Sequence, residues 1–129
     1  MKTYVFRLHS GQGLREEIEA FVKEQDLKAG VILICVGSLK RAVLRMAGAK
    51  EIKEYEGPLE IVSFEGTVGE GGSHMHISIA DKDGNVFGGH LKEGSVVDTT
   101  AEVIIGVLEN TTFKRKFDDE TGFDELVIE

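Results

Sequence analysis

Residues 74–91, HMHISIADKDGNVFGGHL, contain the strongest structural signal in this 129-residue chain. Apolar and polar residues alternate on both sides of a short polar segment, which is typical of two antiparallel strands joined by a tight turn. A three-residue loop from Lys82 to Gly84 would place the glycine at the left-handed position that such loops favour. The sequence therefore predicts a β-hairpin with Asp81 opposite Asn85.

This register brings three histidines to one face of the hairpin. His76 lies opposite His90, and His74 lies on the diagonal within reach of both. The predicted outer face consists of His74, His76, Ser78, Ala80, Val86, Gly88 and His90. The predicted core face consists of Met75, Ile77, Ile79, Phe87 and Leu91. A shift of the turn by one residue would move His90 to the opposite face, so the prediction depends on this register.

Three converging imidazoles are a common way to hold a divalent metal ion with one coordination position left open. Neutral nitrogen donors favour zinc, followed by nickel, copper or iron. The sequence thus predicts a metal site at His74, His76 and His90, with surface or interface histidines as the alternative interpretation. Glu102, at the start of an apolar run, is a candidate acid or base beside the metal, although a solvent-facing position explains it equally well. His9 lies too far from the other histidines in the sequence to be assigned to this site.

The rest of the chain alternates between one helix and many short strands. Apolar residues recur at spacings of three and four from Leu14 to Val22, which predicts an amphipathic helix that Gly30 ends. Gly37 and Ser38 are predicted to form a turn. The predicted strands are 4–8, 31–36, 41–46, 59–68, 75–80, 86–91, 103–108, 113–117 and 123–128. We therefore expect a single α+β domain over residues 1–129 with a mostly antiparallel sheet.

The composition excludes several classes of function. A net charge of −8 and an isoelectric point near 5.0 argue against binding DNA or an anionic membrane through a general positive field. The single cysteine, Cys35, lies in an apolar run and is predicted to be a buried thiol rather than a nucleophile. No apolar stretch approaches the roughly 20 residues of a membrane span, and the N-terminus lacks a signal-peptide core. We expect a soluble cytoplasmic protein.

Two small basic clusters are the remaining charged features. One consists of Lys40, Arg41 and Arg45, and the other spans residues 114–116. Because side chains alternate along a strand, each cluster divides between two faces. Solvated charges at strand edges are the favoured interpretation, and a modest anion-binding patch is the alternative.

Three blocks of sequence place the chain near a known family: GPLEIVS at 57–63, HMHISIAD at 74–81 and VFGGHL at 86–91. With these blocks the sequence resembles the PPC (plants and prokaryotes conserved) domain, in its stand-alone prokaryotic form. The resemblance extends from residues 7–11 to residues 121–125. It implies an antiparallel sheet flanked by one main helix and short helices, a homotrimer, and a metal bound by the trio of histidines described above.

In plants the PPC domain follows AT-hooks and mediates the assembly of nuclear DNA-binding proteins. This sequence contains no Arg-Gly-Arg-Pro AT-hook, and the plant block Gly-Arg-Phe-Glu-Ile is Gly57-Pro58-Leu59-Glu60-Ile61 here. Two classes of function therefore stay open. One is a metal-dependent enzyme or small-molecule binder, and the other is a DNA-associated regulatory or assembly module whose contact with DNA is at most indirect.

Overall fold

Eight strands and one helix form the fold, in a computed structural model that describes residues 1–129. The elements in chain order are β1 (Lys2–His9), α1 (Leu14–Glu24), β2 (Ala29–Arg45), β3 (Ile52–Gly69), β4 (Gly72–Ala80), β5 (Val86–Leu91), β6 (Val96–Val107), β7 (Phe113–Asp118) and β8 (Phe123–Ile128). Six strands form one sheet in the order β1-β6-β2-β3-β4-β5, while β7 and β8 pair with each other. All the pairings are antiparallel, so the predicted α+β class is confirmed.

The long strand β2 causes the sheet to fold back on itself. Most of β2 pairs with β3 on one side and with β6 on the other. At its end it also pairs with β5, through Leu44 opposite Leu91 and Arg45 opposite His90. The end of β2 therefore lies directly beside the strand that contains the third histidine.

The core lies between α1 and the inner face of the sheet. From the helix, Leu14, Ile18 and Val22 are buried, as their spacing predicts. No helix in the structure is both long enough and apolar enough to cross a membrane. Cys35 is 7% exposed, and burial raises the pKa of its thiol to about 12, which confirms the prediction of a buried structural cysteine.

The predicted core face of the histidine hairpin is also confirmed. Met75, Ile77, Ile79 and Leu91 are buried, with exposed fractions between 0 and 3%. Phe87 is half-buried and stacks on Tyr55, with 4.9 Å between the ring centroids. Because these side chains enter the core, the alternate residues on β4 and β5 must face outward.

Two predictions based on glycine were wrong. The helix ends at Glu24 and not at Gly30, because Asp26 takes the left-handed conformation (φ 50°) and β2 has already begun at Ala29. The predicted turn at Gly37 is also absent, since β2 continues through it.

A Cβ added at Gly37 would overlap the carbonyl oxygen of Thr100, so this glycine lets β6 approach β2 closely. The predicted strands 31–36 and 41–46 are consequently one strand. The short flanking helices that the resemblance implied are not found, and α1 is the one helix of the fold.

The outer face of β1, β6 and β2 has an apolar row with no layer covering it. Val5 pairs with Ile104 on β6, and Ile104 pairs with Ile34 on β2. Val5 is 71% exposed and Ile34 is 45% exposed, and nearby on β2 Val36 is 54% exposed.

Candidate metal centre

The turn between β4 and β5 has the predicted loop and register. The Asp81 N–H donates to the Asn85 carbonyl oxygen at 3.0 Å, and Gly84 has a φ of 82°. The Asp81 carboxylate accepts hydrogen bonds from the N–H groups of Asp83 and Asn85, each at 2.9 Å, and so fixes the loop. The predicted pairs are confirmed: His76 with His90, Ser78 with Gly88, and Ala80 with Val86.

The three histidine rings converge above the outer face of this hairpin. One ring nitrogen from each of His74, His76 and His90 lies within 4.8 Å of the others. The Nε2 atoms of His74 and His76 are 3.1 Å apart. Ring centroids are separated by 4.8 to 5.5 Å, so no other side chain stands between the rings.

The environment of these nitrogens fits a bound cation. The Nδ1 atom of His90 is buried and has no hydrogen-bond partner. A buried nitrogen without a partner is costly, and a bond to a metal ion would satisfy it. Three converging imidazole nitrogens are the donor types of a three-histidine zinc site, so the residues present fit a divalent metal.

Burial keeps two of the imidazoles neutral. The pKa of His90 falls to about 4, chiefly through burial and also through the positive charge of Arg45 and the proximity of His74 and His76. Burial also lowers the pKa of His74, assisted by His76 and Arg115. Both rings are therefore uncharged at pH 7, which is the form that binds a metal ion.

The structure does not bring Glu102 to the histidines. Glu102 is exposed on β6, where it pairs with Arg7 on one side and Val36 on the other. Of the two interpretations that the sequence allowed for Glu102, the structure thus supports the solvent-facing position.

A different carboxylate, Glu65 on β3, lies opposite His76 and therefore on the same face of the sheet. The sequence reasoning missed it, although a signal was available. A two-residue turn at Glu70 and Gly71, flanked by glycines, pairs residue 69 with 72 and places Glu65 opposite His76.

Two clefts meet at the histidines. The larger, of about 740 Å³, lies between α1, the turn from β3 to β4, and the β7–β8 hairpin. The smaller, of about 670 Å³, runs along β4 and β5 beside the loop 46–49, and Glu65 lines it. His74, His90 and Arg45 border both clefts. A ligand in either cleft would contact the metal ligands.

The two basic clusters divide between the surface and the larger cleft. Arg41 forms a surface ion pair with Glu54 at 2.6 Å, and Lys114 pairs with Glu129 at 2.8 Å. Arg45 and Arg115, in contrast, line the larger cleft. The sequence could not separate these roles, because they depend on which strands lie next to each residue.

Comparisons with known proteins identify the family to which the chain belongs. The profile of the Plants and Prokaryotes Conserved (PCC) domain matches residues 1–109. Over 129 residues the chain is 40% identical to the Bifunctional protein GlmU of Synechococcus sp. (strain JA-3-3Ab), and it covers 21% of that protein. It is also 27% identical, over 112 residues and 80% of its length, to AT-hook motif nuclear-localized protein 8 of Arabidopsis thaliana, and covers 29% of that protein. The chain thus spans less than a third of these relatives.

Two solved structures share the fold over nearly the whole chain. The hypothetical protein from Salmonella cholerae-suis is 38% identical with a TM-score of 0.95, and the match covers 99% of this chain and 93% of that one. The metal-containing protein AF0104 from Archaeoglobus fulgidus is 31% identical with a TM-score of 0.80, covering 98% and 94%. The resemblance noted in three blocks of sequence is confirmed, and this chain belongs to the Plants and Prokaryotes Conserved (PCC) domain family.

Proposed function

We propose that this protein binds one divalent metal ion per chain, preferably zinc, through His74, His76 and His90. The proposal depends on one observation, the three ring nitrogens that lie within 4.8 Å of one another. The buried, unpaired Nδ1 of His90 supports it, as does the 31% identity to a metal-containing protein of Archaeoglobus fulgidus. A divalent ion held by three ligands acts as a Lewis acid on whatever occupies its open position.

We propose that the metal serves an enzyme or a small-molecule binder. The larger cleft, of about 740 Å³, falls within the range of about 300–1,000 Å³ that is usual for ligand pockets. Glu65 lies on the same face as His76 and lines the smaller cleft, so it takes the place of Glu102 as the carboxylate that we propose for proton transfer. Its exposed position lets it exchange protons with solvent.

We further propose that the chain forms a homotrimer through the outer face of β1, β6 and β2. Val5, Ile104 and Ile34 form a row on that face, and Val5 is 71% exposed. An apolar row of this kind on a sheet is typical of a surface that is covered by another chain. Because α1 and the histidines lie elsewhere, assembly through this face leaves the clefts open.

Native mass spectrometry tests metal binding and trimer assembly in one experiment. The protein is purified without chelator and then supplied with zinc. We expect a mass of three 14.1-kDa chains with one metal ion per chain. The His76→Ala variant should keep the trimer mass and lose the metal. His9→Ala is the matched control, since His9 is an exposed histidine on β1 outside the cluster, and it should bind metal like the parent. A parent that takes up no metal, or a His76→Ala variant that retains it, would contradict the proposal.

A second candidate function is a DNA-associated regulatory or assembly module. It is supported by the 27% identity to the Arabidopsis AT-hook motif nuclear-localized protein. The net charge of −8 favours an indirect association, through a partner that contacts the DNA phosphates. A salt-dependent mobility shift of duplex DNA by the isolated chain would instead establish direct contact.

A further inference from the structure

Two arginines border the larger cleft without an acidic partner. Arg15 is bonded to Glu19 at 2.8 Å, and Arg41 is bonded to Glu54 on the surface. In contrast, no carboxylate oxygen lies within 4.0 Å of a side-chain nitrogen of Arg45 or Arg115. The charges of these two guanidinium groups are therefore not neutralised by an ion pair.

Neutral groups hold both guanidinium groups in place. The guanidinium carbon of Arg45 lies 5.6 Å from the centroid of the Phe123 ring. The Nη2 atom of Arg115 donates to the Thr67 hydroxyl oxygen at 2.9 Å. These contacts orient the side chains but leave their charge and most of their N–H donors free. Because both residues are half-buried, water screens that charge less than at the surface.

The strand register places both arginines next to the histidines. Arg45 on β2 pairs with His90 on β5, and His90 pairs with His76 on β4, so the three form a row on one face. Thr67, the partner of Arg115, pairs with His74. Directly paired residues have Cβ atoms about 4.5–5.5 Å apart, and both arginines line the same cleft as His74 and His90, so an anion bound by the arginines shares that cleft with two of the metal ligands.

The acidic residues of the cleft limit the charge that a ligand can carry. Glu19 and Asp26 are engaged by Arg15 and by Lys28. Three further carboxylates also line the cleft, those of Glu70, Asp124 and Glu125. These would repel a multiply charged anion more than a singly charged one. Lys23 and Lys92 also line the cleft, so the residues outside an ion pair are four cations, these two lysines with Arg45 and Arg115, against three carboxylates. The excess of one positive charge favours a ligand with one negative group, placed at the arginines.

We infer that the larger cleft binds a small organic monocarboxylate, such as a 2-hydroxy or 2-oxo acid, whose carboxylate is held by Arg45 and Arg115. Guanidinium groups bind carboxylates through two parallel hydrogen bonds, which fixes the orientation of the ligand. The neighbouring hydroxyl or carbonyl oxygen is then available to the open coordination position. This inference rests on the proposed metal site and adds the class of substrate to it.

The test measures the binding of three probes to the cobalt-loaded protein by isothermal titration calorimetry: glycolate, acetate and inorganic phosphate. Visible absorption of the cobalt ion reports independently whether a probe reaches the metal. We expect glycolate to bind more tightly than acetate or phosphate and to change the cobalt spectrum. Arg45→Gln should weaken glycolate binding at least tenfold, which corresponds to about 1.4 kcal/mol, without changing cobalt uptake. Arg115→Gln, on the separate β7–β8 hairpin, should also weaken it.

Arg7→Gln is the matched control. Arg7 donates to Thr100 at 2.9 Å, as Arg115 does to Thr67, but it is exposed on β1 and does not line either cleft. The Arg7→Gln variant should bind glycolate with the same affinity as the parent. Thermal unfolding verifies that all variants are folded. The inference is overturned if the parent and both cleft variants bind glycolate with equal affinity. It is also overturned if the parent prefers phosphate and that preference depends on the arginines. In either case normal cobalt uptake would leave the proposed metal site intact. A parent that takes up no cobalt overturns the metal site itself.

Discussion

The two hairpins that border the larger cleft, β4–β5 and β7–β8, are built in different ways. In β4–β5 alternate side chains enter the core, and Ile79 and Leu91 are both 0% exposed. In β7–β8 Phe113 is buried, but Phe117 is 59% exposed and Ile128 is 67% exposed. The hairpin that contains the metal ligands is thus part of the core sheet, whereas the hairpin that closes the cleft lies on the surface.

The attachment of β7–β8 to the rest of the molecule is polar. The Phe113 N–H donates to the Lys28 carbonyl at 2.8 Å, and the Gly71 N–H donates to the Phe113 carbonyl at 3.0 Å. Arg115 adds its bond to Thr67. Segments with few buried apolar contacts open locally at a lower free energy than the core does. We therefore expect the ligand nitrogens to be held rigidly and one wall of the cleft to be the more mobile part.

The largest expected difference is in thiol reactivity, between Cys35 on β2, in the core sheet to which β4–β5 belongs, and the β7–β8 hairpin. Burial raises the pKa of Cys35 to about 12 from an ordinary 9.0, so at pH 8 its thiolate is about a thousandfold less populated than that of an exposed cysteine. A thiol introduced by Ile128→Cys should react with DTNB at an ordinary rate, while Cys35 stays unreacted over the same period. Both should react in urea. Comparable rates in the native protein would show that Cys35 is accessible and would contradict the burial of the core sheet.

The next largest effect concerns side-chain packing. Ile79→Ala should lower the free energy of unfolding by about 3–4 kcal/mol, because it leaves a cavity in the core. Ile128→Ala, the same truncation on an exposed residue of β8, should change it by less than about 0.5 kcal/mol. Urea denaturation measures both. A loss of similar size in the two variants would mean that β8 is covered in solution by something that buries Ile128.

The smallest effect concerns the two turns. Gly84 and Gly122 have φ values of 82° and 79°, and a Cβ at either would meet no atom within 4 Å, so alanine costs only backbone strain, about 1–2 kcal/mol. For Gly84→Ala that cost should appear in the urea midpoint, because β4–β5 unfolds together with the core. For Gly122→Ala it should appear as faster amide exchange in β7 and β8 with little change in the midpoint. If Gly122→Ala lowered the urea midpoint and Gly84→Ala did not, the result would contradict the proposed difference in how the two hairpins are attached to the core.

The parts of the site that depend on local sequence could be predicted. The loop from Lys82 to Gly84 determines the register of its own hairpin, and that register alone brings His76 and His90 together. The pairing of Arg45 with His90 has no such local signal, because it requires β2 to extend through Gly37 and bend back to β5. The sequence therefore offered an anion-binding patch only as the alternative for the two basic clusters, and it could not place Arg45 and Arg115 in one cleft.

The errors have a common physical origin. Gly30 and Gly37 were interpreted as chain breakers, but glycine also serves where two strands approach closely, and Gly37 lies against the backbone of Thr100. Conversely, the helix was ended by Asp26, a residue type that tolerates the left-handed conformation. Which role a glycine has depends on its neighbours in space, and a single sequence does not contain that information.

The double pairing of β5 has a consequence for how this sheet can grow. One edge of β5 pairs with β4 along its length, and the other edge pairs with the end of β2. At His90 both hydrogen-bonding edges of β5 are therefore occupied. The other end of the sheet is β1, which pairs with β6 alone and leaves its second edge open. A peptide or a second sheet that adds a strand by backbone hydrogen bonding has its open template at β1. Strand addition at β1 would extend the sheet without disturbing the ligand strands.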